Sequence, residues 1–404
     1  MFASVDLGSH SIKIIVCRKV DDKYCVLAST CVKSMGIKRG FIKDKEQALN
    51  SLKEAINNIE KDLGIKLHKV LLSFPLYNLN TTIESGEIAV SKVVSGEDIR
   101  EVINKTVKEN IDSNSEIVYL EPIVFEVDGG IQVVDPKGLE TNNLKARLAV
   151  STIDKSILYE YLELLNEAEL SVDDLVYGIV GDYMIGSNRD IERKLGVVVN
   201  IGYSKTEIAI INKGILLKGT ILPIGSRKID KDISYVYKLD RETSRELKEN
   251  FANSSSLYAD KNDYLEVTNI SGESVNINQF EISQVVEARL EELIKSVKLE
   301  INNLTNREIS YIIITGGITN MAGFAYLLEN EFDEEKIICN VTPMGIRSNI
   351  YSTGLGIIEC IDKKMKFREI DYNMFGEDEI KKLTAKEKVC RDSLISKLEA
   401  YLKD

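Results

Sequence analysis

Tryptophan is absent from the 404 residues, histidine appears twice and cysteine six times. His10 and His68, with six cysteines that form no CxxC pair, leave no spacing suited to a zinc site. Cys17, Cys25, Cys31, Cys339, Cys360 and Cys390 stand singly, several of them in apolar strand-like runs where cysteine is usually a buried thiol. Positive charge is also in short supply. Lys and Arg number 52 against 64 Asp and Glu, a net charge of −12. Nonspecific nucleic-acid binding rests on phosphate neutralisation, so no nucleic-acid partner is expected. No apolar run reaches the roughly 18 residues of a membrane-spanning helix. Met1 leads directly into a strand with no signal peptide, so a cytoplasmic location is expected.

What is present is ordinary for a soluble globular chain, 44% hydrophobic and 29% charged. At roughly 100–200 residues per domain the length predicts two to four units. Strand patterns dominate residues 2–16 and 24–32. A helix is expected over 44–63, with Leu49, Leu52, Ile56, Ile59 and Leu63 on one face. From Asn78 the character changes. Strands at 84–94, 117–127, 130–134 and 145–152 alternate with helices at 96–109 and 155–168, which reads as an inserted α+β subdomain over 78–169. A long polar helical region is expected over 228–250. A long amphipathic helix is expected over 281–304, with Ile282, Val286, Leu290, Leu293, Val297 and Ile301 on its apolar side.

The chain repeats its own opening. FASVDLGSHSIKIIV, residues 2–16, returns as VVVNIGYSKTEIAII, residues 197–211, aligning Asp6 with Asn200, Gly8 with Gly202 and Ile14 with Ile208. A glycine at a strand-to-strand turn lets backbone N–H groups converge on one spot without a Cβ in the way. Successive N–H groups of this kind form an anion site. Hydroxyls at Ser9, Ser11 and Ser204 add donors. Two such turns facing each other would clamp a polyphosphate. A carboxylate such as Asp6 would hold Mg²⁺ through its waters. A third element, IIITGGITNMAGF at 312–324, ends a buried strand in Gly-Gly and opens a helix whose N-terminus favours phosphate.

This order of glycine corners resembles the actin, Hsp70 and sugar-kinase ATPase superfamily. Within it the chain is similar to the FtsA family of actin-like bacterial cell-division proteins. The segments that carry the likeness are DLGSHSIKIIV, GIKRG at 36–40, DPKGL at 135–139, EARLEELI at 287–294 with ITGGITNMAG after it, and YSTGLGII at 351–358. The resemblance implies an α/β, two-lobed actin-like (duplicated RNase H-like) ATPase fold with an inserted α+β 1C subdomain. It implies subdomain 1A over 1–77 and 170–195, 1C over 78–169, 2A over 196–223 and 308–368, 2B over 224–307, and a linker with a C-terminal amphipathic helix over 369–404. ATP with Mg²⁺ would lie in the cleft. Asp6, Gly8, Ser9, His10 and Ser11 would form the first phosphate loop, and Asn200, Gly202, Tyr203, Ser204 and Lys205 the second. Gly316, Gly317 and Ile318 would lie against adenosine and the α-phosphate. Lys248 and Glu249 would lie near ribose, on a helix that reads equally as a solvated charged face.

The chain departs from the family pattern at the second loop, where two glycines are lost and the carboxylate becomes Asn200. Phosphoryl transfer depends on positioning and electrostatics, so slow or absent ATP hydrolysis is expected. Lys205 would meet phosphate as a point charge. Lys13 would stand in for a family lysine replaced by Ser11. The strand-end region 176–182 offers Asp182, but no Glu or Gln to orient an attacking water. At the C-terminus a helix over 381–404 puts Leu394, Ile395, Leu398, Tyr401 and Leu402 on one side as a membrane-facing set. Its polar side mixes both signs and it lacks tryptophan or phenylalanine anchors, so a partner-docking helix and a solvated end stay open beside membrane anchoring. The family resemblance implies self-association into protofilaments, binding of the FtsZ C-terminal tail, and attachment to the cytoplasmic face of the inner membrane at the division site. The alternatives are a small-molecule kinase of the same superfamily, or an FtsA-like relative in another membrane-linked assembly such as pilus biogenesis.

Overall fold

The computed structural model describes residues 1–20, 23–77, 79–110, 114–332, 337–339, 348–367, 370 and 372–383. Its frame is one sheet built twice. The first has spatial order Lys23–Lys33, Ser11–Val20, Phe2–Leu7, Lys69–Phe74, Ser171–Tyr177. The second has Ile215–Leu222, Thr206–Asn212, Leu195–Ile201, Tyr311–Thr315, Ile337–Cys339. In each, three strands form an antiparallel meander and two more add in parallel beside its first strand. The registers coincide: Asp6 pairs with Lys13, and Asn200 with Glu207. The central strands read as near-continuous apolar runs because both faces are covered, as in Tyr311–Thr315, buried throughout.

Helix signals act where the sequence places them. Lys45–Leu63 starts at Asp44, whose carboxylate accepts from the Gln47 N–H, and stops at Gly64 in the left-handed conformation. Its buried stripe includes Leu52, Ala55, Ile56 and Ile59. Gln279–Leu304 is capped by Asn278 and buries Ile282, Val286, Leu290, Leu293 and Val297. The polar region expected as one helix is two, Arg227–Tyr237 and Arg241–Asn250. Lys238 turns left-handed between them, and Asp240 accepts from the N–H groups of Glu242 and Thr243 to start the second. A local cap overrides helix propensity there.

The chain between the neighbouring strands Lys69–Phe74 and Ser171–Tyr177 forms a separate antiparallel sheet, ordered Asn80–Val93, Glu140–Asp154, Ser115–Val127, Ile131–Val133. The helix Gly96–Asn110 covers it, and Val90, Ile99, Val102, Phe125, Leu144 and Leu148 form its own core.

Two helices join the duplicated sheets. Gly178–Gly186 leads out of the first, and Ser352–Phe367 returns to it. They cross at glycines: a Cβ on Gly181 would lie 2.7 Å from the Thr353 carbonyl oxygen, and one on Gly356 would overlap the Gly181 backbone. The core of the first sheet continues through this pair onto Val198, Ala209 and Ile313 of the second. Beyond the return helix the chain folds back on the first lobe. Met374, Phe375 and Leu383 are buried there, and the Met374 N–H donates to the Met1 carbonyl at 3.2 Å.

Candidate functional site

Three strand ends converge between the lobes. The first hairpin turns at Gly8, Ser9 and His10, between Phe2–Leu7 and Ser11–Val20. The second turns at Gly202–Lys205, where the Gly202 N–H donates to the Lys205 carbonyl at 3.0 Å. That turn is clamped to the next helix: the Ser226 and Arg227 N–H groups donate to the Gly202 and Tyr203 carbonyls. The third corner is Thr315-Gly316-Gly317. Gly316 has φ of 101°, and a Cβ on it would overlap the Ile201 carbonyl oxygen, so this corner requires glycine.

The corners enclose a cleft of about 440 Å³. Every residue expected from the phosphate loops lines it: Asp6, Gly8, Ser9, His10, Ser11 and Lys13 from the first, and Asn200, Gly202, Tyr203, Ser204 and Lys205 from the second. Gly316, Gly317 and Ile318 line it from the third corner, and Lys248 and Glu249 from the helix Arg241–Asn250. The set expected to meet a membrane, Leu394, Ile395, Leu398, Tyr401 and Leu402, lies outside the described residues.

The charges are already paired. Lys13 Nζ sits 3.0 Å from Asp6 Oδ2. Burial works against the Lys13 ammonium, but the charge and hydrogen bond of Asp6 outweigh it and the pKa is raised. Lys205 Nζ lies 2.7 Å from Glu207 Oε1 and over the Tyr77 ring. Glu207 also accepts from the Leu76 N–H of the first lobe at 2.9 Å. Lys248 and Asp230 form a buried pair at 2.6 Å. His10 Nε2 lies 2.7 Å from Arg245 Nη1, and its ring packs against Tyr203. Burial first, then the cations Arg245, Lys248, Lys13 and Lys33, lower its pKa to about 4. The guanidinium only donates, so a neutral His10 accepts through Nε2.

Asp182 belongs to the crossing helix Gly178–Gly186, not to a strand end, and is fully buried. It accepts from Asn200 Nδ2 at 2.6 Å, Thr353 Oγ1 at 2.8 Å and Ser352 Oγ at 3.2 Å. Burial pushes its pKa up to about 6. The hydrogen bonds from Asn200 and Thr353 oppose that rise, and the charges of Glu207 and Asp6 add to it. Asp182 stands behind Asn200 and is not among the residues that line the cleft.

The donor set fits a polyanion. Ser204 Oγ is buried in the second loop with no hydrogen-bond partner, a donor left over in a glycine cradle. For a cation, the described residues hold no cluster of three or more His, Cys, Asp or Glu side chains. Asp6 beside the first loop suits a Mg²⁺ that takes its other ligands from water and phosphate, not one caged by protein. The sequence reading passed over Glu207, Asn320, Ser348, Asn349 and Ile350, which also line the cleft. Glu207 had a signal, since the repeat places it opposite Asn200 as Lys13 stands opposite Asp6. The others had none: Asn320 Nδ2 reaches Ser348 Oγ, and Asn349 Nδ2 reaches Thr319 Oγ1, only once the chain has folded back.

Comparison with known proteins gives these positions a context. The family model described as "Cell division protein FtsA" matches residues 197–356, and "SHS2 domain inserted in FTSA" matches 78–152, more than half of the chain together. Cell division protein FtsA of Bacillus subtilis (strain 168) is 26% identical over 382 residues, covering 93% of this chain and 87% of that protein. The protein of the same name from Enterococcus faecalis is 24% identical over 367 residues, covering 89% and 83%. Among solved structures, MreB 5 of Spiroplasma citri bound to AMPPNP has a TM-score of 0.54 at 14% identity, covering 90% of this chain and 98% of that one. The PilM-PilN type IV pilus biogenesis complex has a TM-score of 0.57 at 12% identity, covering 89% and 98%. These structural likenesses are of fold.

Proposed function

The chain belongs to the FtsA family of cell-division proteins, and from that premise we propose that it binds ATP with Mg²⁺ between its lobes, turns it over slowly or not at all, and polymerises. In this reading its filaments tether FtsZ to the cytoplasmic membrane. One observation carries the proposal: three glycine corners from the two lobes line one cleft of about 440 Å³, and the Ser204 hydroxyl, buried in the second loop beside it, is left without a partner. Bound ATP would supply the triphosphate charge that both loops are built to accept. The N–H groups of the turns at Gly8–His10 and Tyr203–Lys205 would hold it from opposite sides. Asp6 would take part in holding Mg²⁺ through water, in competition with Lys13. Lys248 and Glu249 would meet the ribose, and Gly316 to Ile318 the adenosine.

Slow turnover follows from what the carboxylates are doing. Glu207 is held by Lys205 and the Leu76 N–H. Asp182 is sealed behind Asn200. Asp182 is out of reach of an attacking water in the cleft, and Glu207 is tied into the contact between the lobes through Oε1. The FtsZ tail would dock on the lobe at about 224–307, and the tail beyond residue 383 would meet the membrane.

Sedimentation with and without ATP, and binding of an FtsZ C-terminal peptide, test the assembly claims. Pelleting that depends on ATP and saturable peptide binding are the expected results. A chain that stays in the supernatant with ATP and ignores the peptide, while phosphorylating a small molecule, would move the assignment to the kinase alternative.

A further inference from the structure

The second loop lacks its carboxylate, yet a carboxylate sits directly behind it. Asn200 Nδ2 donates to Asp182 Oδ2 at 2.6 Å and also approaches Thr353 Oγ1 at 3.4 Å. Which end of the Asn200 amide faces Asp182 is fixed by chemistry, because an ionised carboxylate only accepts. The nitrogen is therefore committed to the helix crossing, and Oδ1 is the polar atom that Asn200 offers to the cleft it lines. Asp182 is itself held on its other oxygen by the hydroxyls of Thr353 and Ser352, at the start of the return helix. An aspartate at 200 would set two carboxylates in contact at the half-buried edge of the cleft, raising the pKa of one of them. Asn200 and Asp182 thus form a matched pair, one residue in the second sheet and one in the helix that leaves the first.

We infer that Asp182 is a positioning residue: it holds Asn200 with its amide oxygen toward the cleft, where that oxygen accepts from the water shell of a divalent cation carried by the bound triphosphate. This rests on the nucleotide reading above. An amide nitrogen turned to the same point would present donors to a hydrated cation and repel its water hydrogens. The orientation of one amide, set from behind, therefore decides whether the second loop helps or hinders the metal.

The test separates orientation from charge. The affinity of a fluorescent ATP analogue is measured with Mg²⁺ and with EDTA for wild type, Asp182→Ala and Asp182→Asn. Alanine removes the acceptor and frees the amide. The gain in affinity on adding Mg²⁺ should fall about tenfold, with the affinity in EDTA nearly unchanged. Asparagine keeps an acceptor oxygen facing Asn200, so the Mg²⁺ gain should stay within about threefold of wild type. A gain retained in Asp182→Ala, or lost equally in both variants, overturns the inference. Absence of saturable binding by the wild type, with or without Mg²⁺, overturns the nucleotide reading and takes this inference with it. Should Asp182→Ala fail to fold, the wild type carries the test by NMR of labelled asparagine. On adding Mg²⁺ to the nucleotide complex, the Asn200 side-chain carbonyl carbon should shift while its NH₂ resonances hold still. The reverse pattern overturns the inference.

Discussion

At the scale of single residues, the two hairpins are the same device with its charges moved. Asp6 and Lys13 face each other across the first ladder. At the matching positions of the second stand Asn200 and Glu207, so the carboxylate has crossed to the neighbouring strand and the lysine has been replaced. Lys205 then comes to Glu207 from two residues away. Each loop is locally neutralised, which leaves backbone N–H groups and hydroxyls as the main donors for an anion. His10 reports directly on this environment. Burial and surrounding cations lower its pKa to about 4, from an ordinary imidazole value of 6.5. A depressed histidine adds stability above its unfolded pKa and loses it as pH falls, so the window here runs from 6.5 down toward 4. Titration of the His10 ring by NMR should show a midpoint near 4. A midpoint at the ordinary imidazole value would mean that the ring is not buried beside Arg245 in solution. A bound triphosphate should raise the midpoint by bringing negative charge to the loop.

At the scale of elements, the crossing of Gly178–Gly186 with Ser352–Phe367 depends on missing side chains. Glycine inside a helix costs about 1 kcal/mol relative to alanine. Here it allows backbone contact, since any Cβ on Gly356 overlaps the Gly181 backbone. Gly356→Ala should therefore destabilise the fold by about 2–3 kcal/mol despite its better helix propensity. Chemical denaturation measures this, and a neutral or stabilising result would mean the helices cross more loosely. The sequence made much of this level legible. The caps at Asp44 and Gly64 and the apolar stripe of 279–304 are local signals, and the glycine corners are contiguous in the chain. Asp182 was misread as a strand-end residue because its role needs Asn200 and Thr353, which only the folded crossing brings beside it. The split at Lys238 was missed because the Asp240 cap sits inside one long polar run that reads as a single helix. The packing of Met374, Phe375 and Leu383 on the first lobe also lay beyond reach, because a polar stretch with a few apolar residues reads as linker. A chain ending near Arg368 should therefore be less stable than one ending after Leu383 by about 2 kcal/mol or more, through lost apolar burial. Equal melting of both truncations would show that the segment does not dock. The version ending after Leu383 is thus the proper control for liposome binding by the tail.

At the scale of the whole molecule, the lobes meet on three sides of the cleft. The two crossing helices and their shared core close the back. Glu207 with the Leu76 N–H ties the lobes across the floor. His10 with Arg245, and Lys33 with Glu242 at 3.1 Å, bridge them from the first hairpin's lobe to the helix Arg241–Asn250. The last of these pairs is exposed and contributes little on its own. A ligand that engages both glycine loops would stabilise one arrangement of the lobes, and polymerisation would read that arrangement. The central claim is that these loops close on a nucleoside triphosphate. The most direct measurement is the equilibrium affinity of a fluorescent ATP analogue for the full chain, with Mg²⁺ and with chelator, alongside phosphate release in the same samples. The account predicts saturable binding that is tighter with Mg²⁺, and phosphate release well below the roughly 1–100 s⁻¹ of kinases. Failure of the analogue to saturate under either condition would contradict it.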